Sequence, residues 1–466
     1  MRPAGLFPSE ETLGINTDLY ELAMAAAYFK AGRMGDQATF ELFTRELPIG
    51  RSFLVAAGLE QVLHFVKNLH FNDRILEYLR GLELFEATDA AFFDHLGSLR
   101  FTGRIDALPE GTVFFQNEPI LQITAPIIEA QIVETYLINS INFQSMVASK
   151  AARLCLAAEG KPVIDFGTRR AHSPQAGVLA ARAAFIGGCE GTSNVLAGYE
   201  MGIPVYGTMA HSFVQFFDQE IEAFRRFHEA FPHGSTILVD TYDTLAGVRK
   251  VLDLPGKINA VRIDSGDLHQ LSLETRRLLD EQGHSEVRIF ASGDLNEEKI
   301  LALANSSIDG YGVGTELVVS ADAPSCNLVY KLVEVVREDK IQPKMKASQG
   351  KATLPYRKHI LRRISEGIFS GDQICTDTEL PAESTDETLS LLQNYMKNGR
   401  LVCELPEVLQ IRKYAGEQLR RLPARFKLLR AETTYSVEYS PRLRQIQKEL
   451  GKEFPLRSSQ ANQDDA

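Results

Sequence analysis

The sequence predicts an α/β protein whose middle part is a run of parallel strands and helices, closed as a barrel or left as an open sheet. Three observations predict it. From about residue 160, short apolar runs recur (KPVIDFG, IPVYGTM, TILVDTY, AVRIDSG, VRIFASG and DGYGVGT) and read as buried parallel strands. Helical patterns lie between them, as in LHQLSLETRRLLDEQG and NEEKILALAN. Each run ends in polar chemistry, and the carboxyl ends of parallel strands share one face, where ligands bind.

Taken in order, the first ~130 residues mix helical patterns (TDLYELAMAAAYFK, GLEQVLHFVKNL) with strand-like ATFELFTREL and TVFFQNEPILQITAP. They predict an N-terminal α/β domain over 1–132, followed by the strand–helix region over 133–336. The strand ends then supply Asp165 and Arg169, Thr208 and His211, Asp240 and Asp243, Arg262 and Asp264, Ser292 and Asp294, and Thr315. His211 stands where VYGTMAHSFVQFF changes from strand to helix. The helix after it is expected to carry Phe213, Phe216, Phe217, Ile221, Phe224 and Phe227 on one face. Past residue 336 a basic, irregular connection (REDKIQPKMKASQGKATLPYRK) leads to a C-terminal region over 337–455. The polar stretch 456–466 reads as a disordered tail.

Composition narrows the function. The net charge of −11 argues against nucleic acid or an anionic membrane as main partner, while leaving room for a small anionic substrate. Five scattered cysteines without a C-x-x-C pair fit neither a disulfide framework nor a zinc site, so a reducing, cytoplasmic setting is expected. MRPAGLFPSEET lacks the pattern of a signal peptide, and no apolar run reaches the ~18 residues needed to span a membrane.

The motifs point to an anionic, phosphate-bearing ligand. DGYGVGTELVV brings Gly310, Gly312 and Gly314 ahead of Thr315, and FASGDLNEEKI sets Ser292 and Gly293 before a helix. Backbone N–H groups there can approach a phosphate. Arg169, Arg170 and Arg262 are cationic candidates, with a structural pair between Arg262 and Asp264 as the plainer reading. Asp240, Asp243, Asp264, Asp267 and Asp294 would hold Mg²⁺ or stabilise a developing cation, although Asp243 and Asp267 are also placed to cap helices. No G-x-x-x-x-G-K-[ST] or G-x-S-x-G is present, and HEAFPH, with His228 and His233, has the wrong spacing for zinc and reads as a solvated face. His211 in such a mouth suits transfer of a phosphoryl group to imidazole.

TDLYELAM, DFGTRRAHSPQAGVLAARAAFIGGCEGTSNVLAG, GTMAHSFVQ, VDTYDT, VRIDSGDL, YGVGTEL and KLVEV…PKMKAS…KATLP together resemble the nicotinate phosphoribosyltransferase family, in its order, from about residue 14 to 360. The resemblance implies an irregular, open α/β barrel with an N-terminal α/β domain and C-terminal segments packed on it. It implies conversion of nicotinate and phosphoribosyl pyrophosphate to nicotinate mononucleotide and pyrophosphate, coupled to ATP hydrolysis with Mg²⁺, as the entry to NAD salvage. It also implies a homodimer with shared active sites. By motif, His211 becomes the phosphorylated histidine, oriented by Asp240. Tyr20 from the partner chain, Phe166, Thr208 and Arg262 contact nicotinate. Arg169 meets the phosphates, and Ser292, Gly293, Gly314 and Thr315 hold the 5′-phosphate. Asp264 steadies the ribosyl cation. GTSNVLAG, with Ser193 and Asn194, offers no acid to a neutral amide, which favours nicotinate over nicotinamide. Ser173 and Tyr356 stand where the family often has glycine, so two loops are expected to differ. The competing readings are a nicotinamide or quinolinate phosphoribosyltransferase and a non-catalytic nucleotide-binding α/β protein.

Overall fold

The chain is described by a computed structural model over residues 9–346, 348, 352–380, 387–430 and 433–453. The tail 456–466, part of the basic connection and the first eight residues lie outside the described residues.

Gln37–Thr44 is buried along all but its first residue because both its faces are covered. It lies inside a seven-stranded antiparallel sheet ordered Lys340–Pro343, Leu328–Arg337, Gln37–Thr44, Leu121–Pro126, Arg104–Ala107, Gln393–Lys397 and Arg400–Leu401. The sheet therefore draws strands from the beginning, middle and end of the chain. Helices such as Leu59–Lys67 and Asp73–Arg80 bury their apolar faces in its core. The C-terminal region reaches the same sheet through buried polar ties. Lys358 Nζ lies 3.1 Å from Glu41 Oε2, and Gln122 Nε2 donates to Lys358 O at 2.8 Å.

The second sheet is wholly parallel, in the order Gly191–Thr192, Val163–Asp165, Gly310–Val313, Arg288–Ala291, Ala260–Ile263 and Thr236–Leu238. Five of the six expected runs are strands. The sixth, IPVYGTM, forms no strand. Its Val205 makes a single bridge to Thr192 at one edge of the sheet, and Thr208 Oγ1 donates to Thr236 O at 2.6 Å at the other. This extended segment spans the gap between the two edge strands, so the barrel is irregular and open. A side-chain bond in place of a backbone ladder is the physical reason.

The expected phenylalanine helix is also divided. His211–Phe216 ends where Phe217 turns extended, and Glu220–Ala230 starts afresh. Phe224 is buried and Phe213 packs edge-on to Phe217 and Phe227, while Phe216 is 82% exposed. His228, expected on a solvated face, is instead a satisfied core histidine between Ser235 Oγ and Pro255 O. Behind the parallel sheet, Glu134–Ala157 packs on Pro174–Ile186 through alanines. Ser173 caps the latter by accepting from Ala176 N at 3.0 Å, and Tyr356 takes the left-handed φ of 64° that glycine adopts freely.

Candidate active site

The carboxyl ends of the parallel strands open into one mouth of about 1070 Å³. Asp165, at the end of Val163–Asp165, is fully buried. It accepts from Gly167 N at 2.8 Å and Thr192 Oγ1 at 2.7 Å. Burial raises its pKa, against those bonds. It braces the loop that delivers Phe166, Arg169 and Arg170 into the mouth. Phe166 lies on the glycine of the neighbouring strand: a Cβ at Gly312 would come 2.3 Å from Phe166 Cδ2. Gly310 likewise sits against Phe290, so two of the three glycines expected to approach phosphate serve close packing inside Gly310–Val313. Gly312, Gly314 and Thr315 line the mouth, and Gly310 does not.

His211 enters at the gap between the edge strands, its side chain 40% exposed. Nδ1 lies 3.1 Å from Thr241 Oγ1, and Nε2 is 3.9 Å from Asp264 Oδ2. The expectation that Asp240 orients His211 is corrected here. Asp240 is buried behind the mouth, where its Oδ2 accepts from Asp264 N at 2.9 Å and Ser265 Oγ at 2.6 Å. It braces the loop that carries Asp264, and Thr241 is the residue that touches the imidazole. Neighbours in an extended chain point to opposite sides, and nothing in VDTYDT says which of the two faces the histidine.

Arg262 projects into the mouth largely buried. Its Nη2 is 4.0 Å from Asp264 Oδ1, and its Nε has no hydrogen-bond partner among the described residues. The Arg262–Asp264 pair is present, but as a long ion pair rather than a hydrogen bond. Burial, and the charge of Arg169, pull the Arg262 pKa down, against Asp264 and Asp240. Asp264 Oδ1 accepts a close hydrogen bond from Ser292 Oγ. Gly293, at φ 93°, packs so tightly that a Cβ would sit 2.1 Å from Asp264 O. Asp243 and Asp267 both cap helices, accepting from Ala246 N and Gln270 N; Asp267 also lines the mouth, beside Asp294.

Thr208 and Ser193 complete the set of expected residues that line the mouth. Asn194 does not; it caps Val195–Met201. Tyr20 lies outside as well, on Leu19–Lys30, 48% exposed. Burial and the nearby Glu134, Glu21 and Asp18 raise its phenol pKa. Sequence reasoning missed Thr241, Lys299 and Thr168, whose hydroxyl is buried without a partner among the described residues. The adjacency of Thr168 to Arg169 was the available signal. Among the described residues no three His, Cys, Asp or Glu side chains gather as a metal cage, and no helix is long and apolar enough to cross a membrane.

Residues 15–142 match the family described as the nicotinate phosphoribosyltransferase (NAPRTase) N-terminal domain. Residues 147–348 match the quinolinate phosphoribosyl transferase C-terminal domain, and 382–447 the nicotinate phosphoribosyltransferase C-terminal domain. The chain is 46% identical over 430 residues to nicotinate phosphoribosyltransferase pncB2 of Mycobacterium tuberculosis (strain ATCC 25618 / H37Rv), across 90% of this chain and 89% of the relative. Identity to nicotinate phosphoribosyltransferase of Bacillus subtilis (strain 168) is 36% over 462 residues, 92% and 94% of the two chains. The crystal structure of human nicotinic acid phosphoribosyltransferase superposes with a TM-score of 0.83 at 30% identity, over 93% of this chain and 99% of that one.

Proposed function

The chain belongs to the nicotinate phosphoribosyltransferase family, and from that premise we propose how its mouth carries out the reaction. The enzyme transfers a phosphoribosyl group to nicotinate, a step of NAD biosynthesis. The observation that carries our account is the Arg262 guanidinium, held inside the mouth with an unpartnered Nε and no hydrogen bond to Asp264. A buried cation held by only one long ion pair suits the carboxylate of nicotinate. Phe166, backed by Gly312, offers its ring to the pyridine, and Thr208 lies beside them.

The chemistry needs no base. The pyridine nitrogen uses its own lone pair to form the C1–N bond of the ribosyl centre while the C1–O bond to pyrophosphate breaks. No proton changes hands. Asp264 answers the positive charge that develops on the ribosyl group, and Arg169 and Arg170 take up charge on the departing pyrophosphate. Ser292, Gly293, Gly314 and Thr315 face the 5′-phosphate.

Mg²⁺ fits as an ion shared with the substrate. The mouth supplies separate carboxylates and no closed cage, and such a cation keeps waters and takes one or two carboxylates plus phosphate oxygens. Asp264 and Asp267 would hold it, and it would neutralise pyrophosphate charge. ATP is the phosphoryl donor. With His211 Nδ1–H donating a hydrogen bond to Thr241 Oγ1, Nε2 keeps a lone pair to form the N–P bond to the γ-phosphoryl group as its P–O bond to ADP breaks, and water later attacks that phosphorus to release phosphate and the free histidine.

The working unit is a homodimer. Val195 (73% exposed), Tyr199 (84%) and Phe216 (82%) leave an apolar surface on the helices beside the mouth, which suits a second copy. Tyr20, remote from its own mouth, would enter the partner's. The cytoplasm, where phosphoribosyl pyrophosphate and ATP are held, is the proposed setting. Pyrophosphate release from phosphoribosyl pyrophosphate tests the reading, with nicotinate or nicotinamide offered in the presence or absence of ATP. Release with nicotinate, strengthened by ATP, is expected. Release with nicotinamide alone would overturn the role of Arg262, and no release with either would move weight to quinolinate or to binding without turnover.

A further inference from the structure

Behind the phosphate-facing loops lies a buried ion network outside the substrate contacts just described. Lys150, midway along Glu134–Ala157, is 1% exposed. Its Nζ lies 2.6 Å from Glu297 Oε2, 2.9 Å from Asp322 Oδ1 and 3.7 Å from Glu316 Oε2. Arg153 Nε approaches Glu297 Oε1 at 3.2 Å, and Arg51 meets Asp322 through Nε at 3.1 Å and Nη2 at 2.9 Å. Three cations and three carboxylates thus balance, with Lys150, Glu297, Arg153 and Arg51 buried and Glu316 and Asp322 partly exposed.

The positions of the carboxylates are what matter. Glu297 opens the helix Glu297–Ala302, directly after the loop that carries Ser292 and Gly293. Glu316 follows Thr315 in Thr315–Val318. One ammonium group therefore touches the roots of both loops that face the 5′-phosphate. Those loops carry Gly293 and Gly314, which have no side chains of their own, so anchoring at the roots adds to the backbone contacts that hold them. A buried pair costs much desolvation, yet removing one member leaves an uncompensated charge, so the network specifies placement more than it adds stability. Without Lys150, three carboxylates would share only Arg153 and Arg51, leaving an excess negative charge behind a site built for phosphate.

We propose that Lys150 is a positioning residue that clasps the roots of the 292–296 and 314–316 loops and thereby sets affinity for the 5-phosphate end of phosphoribosyl pyrophosphate. The proposal rests on the phosphate assignment made above. It never touches substrate, so its effect is confined to binding at one end of the ligand.

The test is calorimetric binding of ribose 5-phosphate to the full chain, alongside separate Michaelis constants for nicotinate and phosphoribosyl pyrophosphate. Lys150→Met should weaken ribose 5-phosphate and raise the phosphoribosyl pyrophosphate constant about tenfold, the scale of a small misplacement propagated from a distance. The nicotinate constant at saturating phosphoribosyl pyrophosphate should stay within about twofold, and Lys150→Arg should recover part of the loss. Glu316→Gln, at a partly exposed side chain, should shift the same two constants in the same direction without loss of fold. It decides the matter should Lys150→Met fail to fold. Unchanged ribose 5-phosphate affinity in the folded variants, with only a lower melting temperature, would reduce Lys150 to a stabilising group and overturn the proposal. Wild-type protein that fails to bind ribose 5-phosphate would instead overturn the phosphate assignment itself.

Discussion

His211 and Thr241 meet at 3.1 Å, and that contact decides which imidazole nitrogen faces the mouth. His211→Ala should abolish stimulation by ATP and leave slow ATP-independent synthesis. Thr241→Val keeps the ring but removes the hydroxyl that holds Nδ1, so ATP stimulation should fall only in part. Measuring synthesis with and without ATP separates the two, and equal stimulation in all three proteins would remove His211 from the coupling. Arg262→Ala withdraws the one guanidinium we assign to the carboxylate. The Michaelis constant for nicotinate should rise tenfold or more, about 1.4 kcal/mol per factor of ten. An unchanged constant would reassign Arg262 to the charge balance of Asp264.

At the scale of elements, the loops after the strands are held by backbone contacts that tolerate no side chain. Gly293 combines φ 93° with a position where Cβ would lie 2.1 Å from Asp264 O. Gly293→Ala must push apart the loops of two adjacent strands, so phosphoribosyl pyrophosphate binding should weaken about tenfold or more while the folded core, seen by far-ultraviolet circular dichroism, stays. The helix Leu19–Lys30 offers a pH test. Burial lifts the Glu21 carboxyl from 4.5 to about 7, against hydrogen bonds from Thr17 and Thr135. An acid whose pKa rises on folding favours the folded state while protonated, and that advantage is lost as pH climbs from 4.5 to about 7. Unfolding midpoints across this window should slope downward in the wild type and flatten in Glu21→Gln. Parallel slopes would show that Glu21 ionises freely.

For the whole molecule, the proposed sharing of sites between two chains can be read by mixing two proteins that each lack ATP-stimulated synthesis. Tyr20→Ala and His211→Ala, co-refolded or exchanged, would form mixed dimers in which one site has both native residues and the other has neither. ATP-stimulated synthesis should reappear on mixing. Its absence, with dimer formation shown by sedimentation, would place Tyr20 outside the site.

Much of this was legible in the chain. A parallel sheet has period-free apolar strands that end on one face, and five of six runs announced themselves that way. The polar residues at those ends identified the mouth before any geometry, because backbone topology alone gathers them. Local chemistry also sufficed for the caps at Asp243 and Asp267, where an acid immediately before a helix accepts from the free N–H three residues on. Tertiary structure decided whatever depends on a neighbour distant in sequence. IPVYGTM has the composition of a strand, but Thr208 takes the carbonyl of Thr236 and the segment becomes a bridge across an open barrel. Asp240 and Thr241 are equally polar, and only the packing of the Asp264 loop assigns one to a brace and the other to the histidine. Lys150 reads in sequence as one more helix lysine. It is the approach of Glu297, Glu316 and Asp322, all more than 140 residues away, that makes it a clasp. Periodicity and capping are properties of a few adjacent residues, whereas pairing of charges depends on which surfaces the fold brings together.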